Sequence, residues 1–278
     1  METGLYVVAT PIGNFGDMSQ RAAEVLRDAD VIAAEDTRHS QRLLQHLGID
    51  TPLVAYHDHS DERAVEKLVE RLVAGQSIAL ISDAGTPLIS DPGYRLVRAA
   101  QDAGVRVVPV PGACAAIAAL SASGLPTDRF RFEGFLPSKS GARVKALEGL
   151  VAESATLLFY EAPHRVEATL ADMIAVFGEQ REAVLAREIS KTFETLRRAP
   201  LVELQAFVAA DGNQQKGEIV LMVAGARRSD VTLDSATTSL LELLAAELPA
   251  KRAAALVAEH TGLRKKELYD YLLGKKQG

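Results

Sequence analysis

The chain has one cysteine, Cys114, no tryptophan, and only 5% aromatic residues in 278. A single thiol can neither close an internal disulfide nor build a multi-cysteine metal site. No uncharged apolar run reaches about 18 residues, so no membrane-spanning helix is expected. Met1-Glu2-Thr3-Gly4 leads straight into a strand-like segment, without the basic and apolar regions of a secretory signal. These absences set the expectation of a cytoplasmic protein. Three signatures are missing as well. There is no G-x-G-x-x-G after the first strand-like run, no G-x-x-x-x-G-K-[ST] and no G-x-S-x-G; the run 134–139 resembles the second only superficially. A Rossmann-type dinucleotide site, a P-loop NTPase and a hydrolase elbow are thereby disfavoured.

What is present is the composition of a globular protein, 47% hydrophobic and 24% charged, with length for two modest domains and an appendage. The net charge of −6 is uneven. From Pro249 to Gly278 seven basic residues face three acidic ones, a surplus of +4 that leaves −10 on the remainder. A basic end on an acidic body fits a polyanionic partner; a solvated helical tail fits it too.

Strand-like and helical runs alternate from the start. Leu5–Thr10, Val31–Ala34, Leu53–Tyr56, Ser77–Ser82 and Val105–Val110 read as strands. Between them, Ser19 can cap a helix reaching Asp28. Ser60 or Asp61 can cap one carrying Val65, Leu68, Val69 and Leu72 and ended by Gly75. Asp91-Pro92 has the N-cap and first-turn chemistry of a third, stopped by Gly104. Cys114–Ser121 is a helix of small residues. After a link at Ser123-Gly124-Leu125-Pro126 come strands Thr156–Tyr160, Ala183–Arg187 and Glu218–Ala224, and a helix Val166–Phe177. The expected fold class is α/β: an N-terminal α/β domain over 1–122, whose order implies a parallel sheet, a second α/β domain over 123–230, and a helical, helix-turn-helix-like appendage over 235–278. In that appendage Lys251–Glu259 and Arg264–Leu273 read as helices around the turn 260–263.

In open α/β sheets ligands bind beyond the carboxyl ends of the strands. Glycine, proline and polar residues collect there: Thr10-Pro11-Ile12-Gly13-Asn14, Asp83-Ala84-Gly85-Thr86-Pro87, Pro111-Gly112-Ala113 and Glu161-Ala162-Pro163-His164-Arg165. Two acidic clusters stand out. His57-Asp58-His59 with Asp61 and Glu62 can hold a divalent cation or simply cap the next helix. Ala34-Glu35-Asp36-Thr37-Arg38 can act on substrate or form an internal Asp–Arg pair with a cap. Arg187-Glu188-Ile189-Ser190-Lys191 with Glu194 can line a cleft or form a surface ion-pair ladder.

Eight segments taken together resemble the tetrapyrrole methylase family of S-adenosylmethionine-dependent enzymes, and most closely its branch acting on ribosomal RNA. They are LYVVATPIGNFGDMS (5–19), AEDTR (34–38), YHDHSDE (56–62), SDAGTPLISDPG (82–93), FEGFLPSK (132–139), FYEAPHR (159–165), REISKTFE (187–194) and KGEIVLMVAG (216–225). The resemblance implies S-adenosyl-L-methionine bound between two α/β domains, at Ile12, Asp83, Gly85, Ala115, Ala116, Tyr160, Ala186, Glu218 and Ile219. It also implies a homodimer, and 2′-O-methylation of a cytidine in the decoding region of 16S ribosomal RNA in the small subunit.

A ribose hydroxyl is a poor nucleophile, and a general base assists it. The candidates are Asp36, His57, Glu188 and, if its pKa is depressed, Lys191; the chemistry requires no metal. Arg38, Lys139, Arg143, Arg165 and Lys191 are candidates for gripping substrate RNA through phosphate. The tail helices are a further candidate for RNA docking, or a clamp on the body. Two rival readings are a methylase acting on a tetrapyrrole or other small acceptor, and a non-catalytic ligand sensor with a DNA-binding tail.

Overall fold

The computed structural model describes residues 1–57, 62–226, 235–261 and 263–275. The first sheet contains β1 (Gly4–Val8), β2 (Val31–Ala34), β3 (Leu53–Ala55), β4 (Ser77–Ile81) and β5 (Val107–Val110) in the order β3-β2-β4-β1-β5, every pairing parallel. Its strands are short apolar runs because both faces are covered. Successive residues serve opposite layers. Tyr6, Val8, Ile32 and Ala34 pack beneath α1 (Gln20–Asp28) and α2 (Thr37–Leu47), while Leu5, Val31 and Ala33 pack beneath α3 (Glu62–Val73) and α4 (Tyr94–Asp102). Local signals set the helix ends. Ser19 accepts from the Ala22 amide at the start of α1, and Gly48, at φ 61°, terminates α2.

One boundary departs from the sequence expectation. α4 begins at Tyr94 with Gly93 as N-cap, not at Asp91-Pro92. Gly93 has φ 140°, and a side chain there would run into Leu88, so the chain reverses at the glycine and Asp91 stays in the preceding loop. Ser60 and Asp61, the expected caps of α3, lie outside the described residues.

The second sheet is mixed, in the order β6-β7-β10-β8-β9. It is built from β6 (Phe130–Phe135), β7 (Thr156–Glu161), β8 (Glu182–Arg187), β9 (Thr195–Pro200) and β10 (Ile219–Val223), and only the β6–β7 pairing is parallel. One face carries α6 (Ser140–Glu148), α7 (Val166–Phe177) and α8 (Leu201–Ala210). The other face is covered by α5 (Ala115–Ser123), whose Ala116, Ala119 and Leu120 pack on Leu158, Val184, Ala186, Val220 and Met222. The alanines suit a helix packed against a sheet. The edge strands β6 and β9 escaped the sequence reading: neither has a buried residue, and β9 carries no apolar alternation.

The C-terminal helices α9 (Ser235–Glu247), α10 (Ala250–Thr261) and α11 (Lys265–Lys275) share a small core of Leu241, Ala253, Ala254, Val257, Leu268 and Leu272. Among the described residues no helix is long and apolar enough to cross a membrane.

Candidate active site

β4, β1 and β5 are neighbours, so the loops at their carboxyl ends meet. Thr10 and Gly85 exchange backbone hydrogen bonds of 2.8 and 3.0 Å, and the Thr86 hydroxyl donates to the Ala113 carbonyl at 2.9 Å. The second sheet faces these loops with the ends of β7, β8 and β10. Between them lies a cleft of about 420 Å³.

Of the positions expected to hold cofactor, Ile12, Asp83, Gly85, Ala115, Tyr160, Ala186, Glu218 and Ile219 all line this cleft. Ala116 is buried just behind it, its amide donating to the Tyr160 hydroxyl at 3.3 Å. Residues not singled out as cofactor positions contribute too: Glu35, Ser90, Asp91, Cys114 and Phe135. Phe135 was legible as an apolar residue ending the FEGF segment; its ring meets Tyr160 edge-on at 5.6 Å between centroids. Asp91 was hidden by its resemblance to a helix cap.

The floor is apolar and the rim acidic. Gly85, at φ 81°, lets the backbone pass close to Ile12; an added Cβ would sit 3.3 Å from Ile12 Cγ2. Glu35, Asp83, Asp91 and Glu218 bring carboxylates to the lining. The Tyr160 hydroxyl has its pKa raised, chiefly by burial and next by the neighbouring Cys114, so it stays neutral. Behind the wall the fully buried Glu161 carboxylate accepts from Thr169 at 2.5 Å, from the Ala162 amide at 2.7 Å and from Arg165 at 2.8 Å. It fixes the loop that carries Ala162 and Pro163 into the cleft.

The expected catalytic residues separate. Glu188 and Lys191 sit together at the rim, Lys191 Nζ lying 2.8 Å from Glu188 Oε1 and 3.3 Å from Glu218 Oε2. Glu188 Oε1 also accepts from the Glu218 amide at 3.0 Å. Burial opposes the charge on Glu188, but the hydrogen bonds from Lys191 and the Glu218 amide outweigh it and lower its pKa. Burial likewise works against the Lys191 charge, and the hydrogen bond to Glu188 overrides it, raising the pKa. A neutral, base-competent Lys191 is therefore not what this environment produces. Glu188 and Ser190 have φ of 52° and 70°, and Leu88 and Ser90 of 73° and 64°, so strained non-glycine backbone occurs in a loop of each domain.

Asp36 is committed elsewhere. It caps α2, accepting from the Arg38 amide at 2.8 Å and pairing with the Arg38 guanidinium at 3.0 Å, which holds its pKa down to about 2. Its own amide donates to Asp83 Oδ1 at 3.0 Å, tying the α2 start to the cleft. His57 is exposed past the end of β3 and away from the cleft lining. Of the cluster read as a possible cation site, Asp58, His59 and Asp61 lie outside the described residues; among the described ones no group of three His, Cys, Asp or Glu could hold a metal.

The candidate phosphate contacts divide likewise. Arg38 and Lys139 are exposed. Arg143 is 3% exposed, its Nε bonded to Asp172 at 2.6 Å and its Nη1 to the carbonyls of Pro137 and Ser138. Arg165 is largely buried against Glu161 and the Leu136 carbonyl. Both arginines are tied into the second domain, Arg143 almost wholly enclosed and Arg165 with a fifth of its side chain exposed.

Two α/β domains face one another across an acid-rimmed, apolar-floored cleft at their strand ends, and its lining fits a small, cationic and partly apolar ligand. Residues 4–205 match the family described as Tetrapyrrole (Corrin/Porphyrin) Methylases, and residues 231–276 match the RsmI C-terminal HTH domain. The chain belongs to the tetrapyrrole methylase family. It is 58% identical over 276 residues to a Pseudomonas aeruginosa protein named ribosomal RNA small subunit methyltransferase I, covering 99% of this chain and 98% of that one. A protein of the same name from Escherichia coli O157:H7 is 56% identical over 269 residues, 97% of this chain and 94% of its own. Among solved structures, the fold resembles uroporphyrin-III C-methyl transferase from Thermus thermophilus complexed with S-adenosyl homocysteine. That likeness has a TM-score of 0.55 and 20% identity over 80% of this chain and 97% of that one. Diphthine synthase resembles it with a TM-score of 0.57 and 17% identity, over 79% and 89%.

Proposed function

We propose that this chain transfers a methyl group from S-adenosylmethionine to the ribose 2′-hydroxyl of a cytidine in the decoding region of 16S ribosomal RNA, acting in the cytoplasm as a homodimer on the small subunit. The observation that carries this reading is near-full-length identity, above 55%, to two proteins named for small-subunit ribosomal RNA methylation. The rival small acceptor fits less well. The uroporphyrin enzyme uses up 97% of its own length on 80% of this chain, leaving a fifth of this chain without a counterpart. The surplus of basic residues between Pro249 and Gly278 suits a polyanion better than a tetrapyrrole. The cytidine and its 2′-oxygen rest on the sequence resemblance, as does the homodimer; exposed Tyr94 and Phe193 offer apolar surface that a second copy would cover.

The residues of the cleft fit the cofactor. The volume suits a nucleoside-sized ligand. Ile12, Ala115, Ala186 and Ile219 with the Tyr160 and Phe135 rings would hold the adenosine, while Asp83, Asp91 and Glu218 would favour the cationic end. When bound, S-adenosylmethionine supplies a methyl group on a positively charged sulfur. The rest falls to the chain: gripping RNA through exposed Arg38 and Lys139, aligning the ribose oxygen, excluding water, and managing one proton. Alignment supplies much of the acceleration in such displacements. The Glu188 carboxylate is the acceptor best placed to orient the hydroxyl at the rim, and the Lys191 ammonium steadies the negative charge that grows on its oxygen.

The test uses small subunits from cells lacking the protein, incubated with purified chain and methyl-labelled S-adenosylmethionine and mapped by mass spectrometry. One methyl on one cytidine ribose is the expected product. Absence of incorporation into subunits, assembly intermediates and naked rRNA, with cofactor binding intact, would overturn the reading.

A further inference from the structure

The helix leading away from the cleft has no acidic residue. Over its eleven residues α2 exposes Arg38, His39, Gln41, Arg42, Gln45 and His46, and turns Ser40, Leu43 and Leu44 inward. Residues three and four apart are neighbours on a helix surface, so Arg38, Arg42 and the Gln45–His46 step form one continuous line. The body that carries this line, residues 1–248, has a net charge of −10.

The line starts beside the cleft and ends on the loop after β1, which also carries cleft-lining Ile12. At the start, Glu35 lines the cleft and Asp36 caps the helix. At the far end the His46 ring stacks on Phe15, with centroids 4.4 Å apart and planes 29° apart. Phe15 belongs to the loop after β1, three residues beyond cleft-lining Ile12, and is 47% exposed although it is a large apolar side chain. Arg38 is paired with Asp36, whereas Arg42 forms no ion pair among the described residues.

We propose that this face of α2, from Arg38 to the Phe15–His46 pair, holds the single-stranded ribosomal RNA next to the target nucleotide. The inference rests on the rRNA reading above. A basic line that tracks the backbone, ended by an aromatic platform, is the combination by which proteins hold single strands. The acidic body repels a polyanion, so charge complementarity directs the strand to this helix. Phosphates lie on Arg38 and Arg42, and an unstacked base packs against the Phe15–His46 pair. A phosphate reaching Arg38 replaces Asp36 as its partner, and Asp36 keeps the helix amides that it caps.

The experiment compares the full-length protein with Arg42→Glu, Arg42→Gln and Phe15→Ala. The readouts are kcat and KM for methylation of subunits and of naked rRNA, the salt dependence of RNA binding, and calorimetric affinity for S-adenosylhomocysteine. Lys145→Glu, an exposed charge reversal on α6, is the control. Arg42→Glu should raise KM about 10-fold and flatten the log–log salt slope by about 0.7, the change expected for one lost phosphate contact on a single strand. Arg42→Gln should raise KM about 3-fold and Phe15→Ala about 5-fold, with kcat, cofactor affinity and the control unchanged. KM and salt slope within twofold of wild type for all three variants would overturn the proposal. So would weakened binding to intact subunits with unchanged binding to naked rRNA, since the face would then meet ribosomal protein. Wild-type protein that binds cofactor but methylates no RNA would instead remove the rRNA reading itself, and this inference with it.

Discussion

The alkyl chain of Lys191 fills the space that a side chain on Gly13 would need. A residue following β8 of the second domain thus lies against the first loop of the first domain, and the Ser190 hydroxyl hydrogen-bonds Asp17 across the same seam. Gly13→Ala is expected to be costly twice over. Its φ of 135° strains an alanine by about 1–2 kcal/mol, and the new methyl group displaces Lys191. The denaturation midpoint should fall and kcat/KM on subunits should drop at least ~10-fold by the alignment argument. Unaltered kinetics would mean that Lys191 is not needed where it lies.

The Glu188–Lys191 pair gives a pH expectation with a definite sign. The lowered pKa of Glu188 contributes stability that is present above the ordinary carboxylate range and lost as pH falls through its folded value. The raised pKa of Lys191 contributes stability present below the ordinary lysine range, near about 10, and lost as pH rises through its folded value. The pair stays ionised between those limits. The methylation rate should show no rise from deprotonation of Lys191 between about pH 7 and 9. Lys191→Met should lower kcat by ~100-fold with cofactor affinity unchanged. A wild-type rate climbing tenfold per pH unit toward pH 10, abolished in Lys191→Met, would restore the neutral-lysine base.

Much of this was written in the chain, and the misses share a cause. The first sheet and the helix Val166–Phe177 were readable because strands buried on both faces leave apolar runs and helices end on glycine. β6 and β9 were not, because these edge strands expose half of their residues and bury none. Loops at strand ends pointed to one cleft, which the structure assembles from both domains. The roles of charged residues were harder to read. Arg38, Arg143 and Arg165 look alike as letters, yet one is exposed and two are paired inside the second domain with Asp172 and Glu161. Which partner claims a guanidinium is settled by tertiary packing.

Asp36 should behave as a helix cap. Asparagine caps a helix about as well as aspartate and alanine does not. Asp36→Asn should keep methylation within about threefold, whereas Asp36→Ala should lower the Tm by about 2–4 °C. With a pKa held near about 2, the cap's charged-state contribution is lost only as pH falls from the ordinary carboxylate range through that value. Thermal melts of both variants at pH 7 and pH 3, beside their rates, check this; a ~100-fold loss in Asp36→Asn alone would make the carboxylate chemical.

Arg143→Ala tests whether that arginine is architecture. It leaves Asp172, 17% exposed, without its cation and strands two carbonyls. Removing one partner of such a pair costs about 3 kcal/mol. Denaturant unfolding should show that loss, and KM for subunits should stay within twofold at a temperature where the variant is folded. A raised KM with unchanged stability would return Arg143 to the RNA surface.

Gly85 separates cofactor binding from folding. Its carbonyl and amide bridge to Thr10, so the backbone must stay where it is. A valine there meets Ile12 and the Ala113 carbonyl and projects into the space the adenosine would take. Calorimetric affinity for S-adenosylhomocysteine should fall ~100-fold in Gly85→Val, with a stability loss of about 1–2 kcal/mol from the positive φ. Cys114→Ser changes another cleft-lining residue without changing its size or backbone, and should leave affinity within about threefold. If both variants bind normally, the ligand does not use this wall. If both fail, the cleft tolerates no change at all, and the glycine argument loses its force.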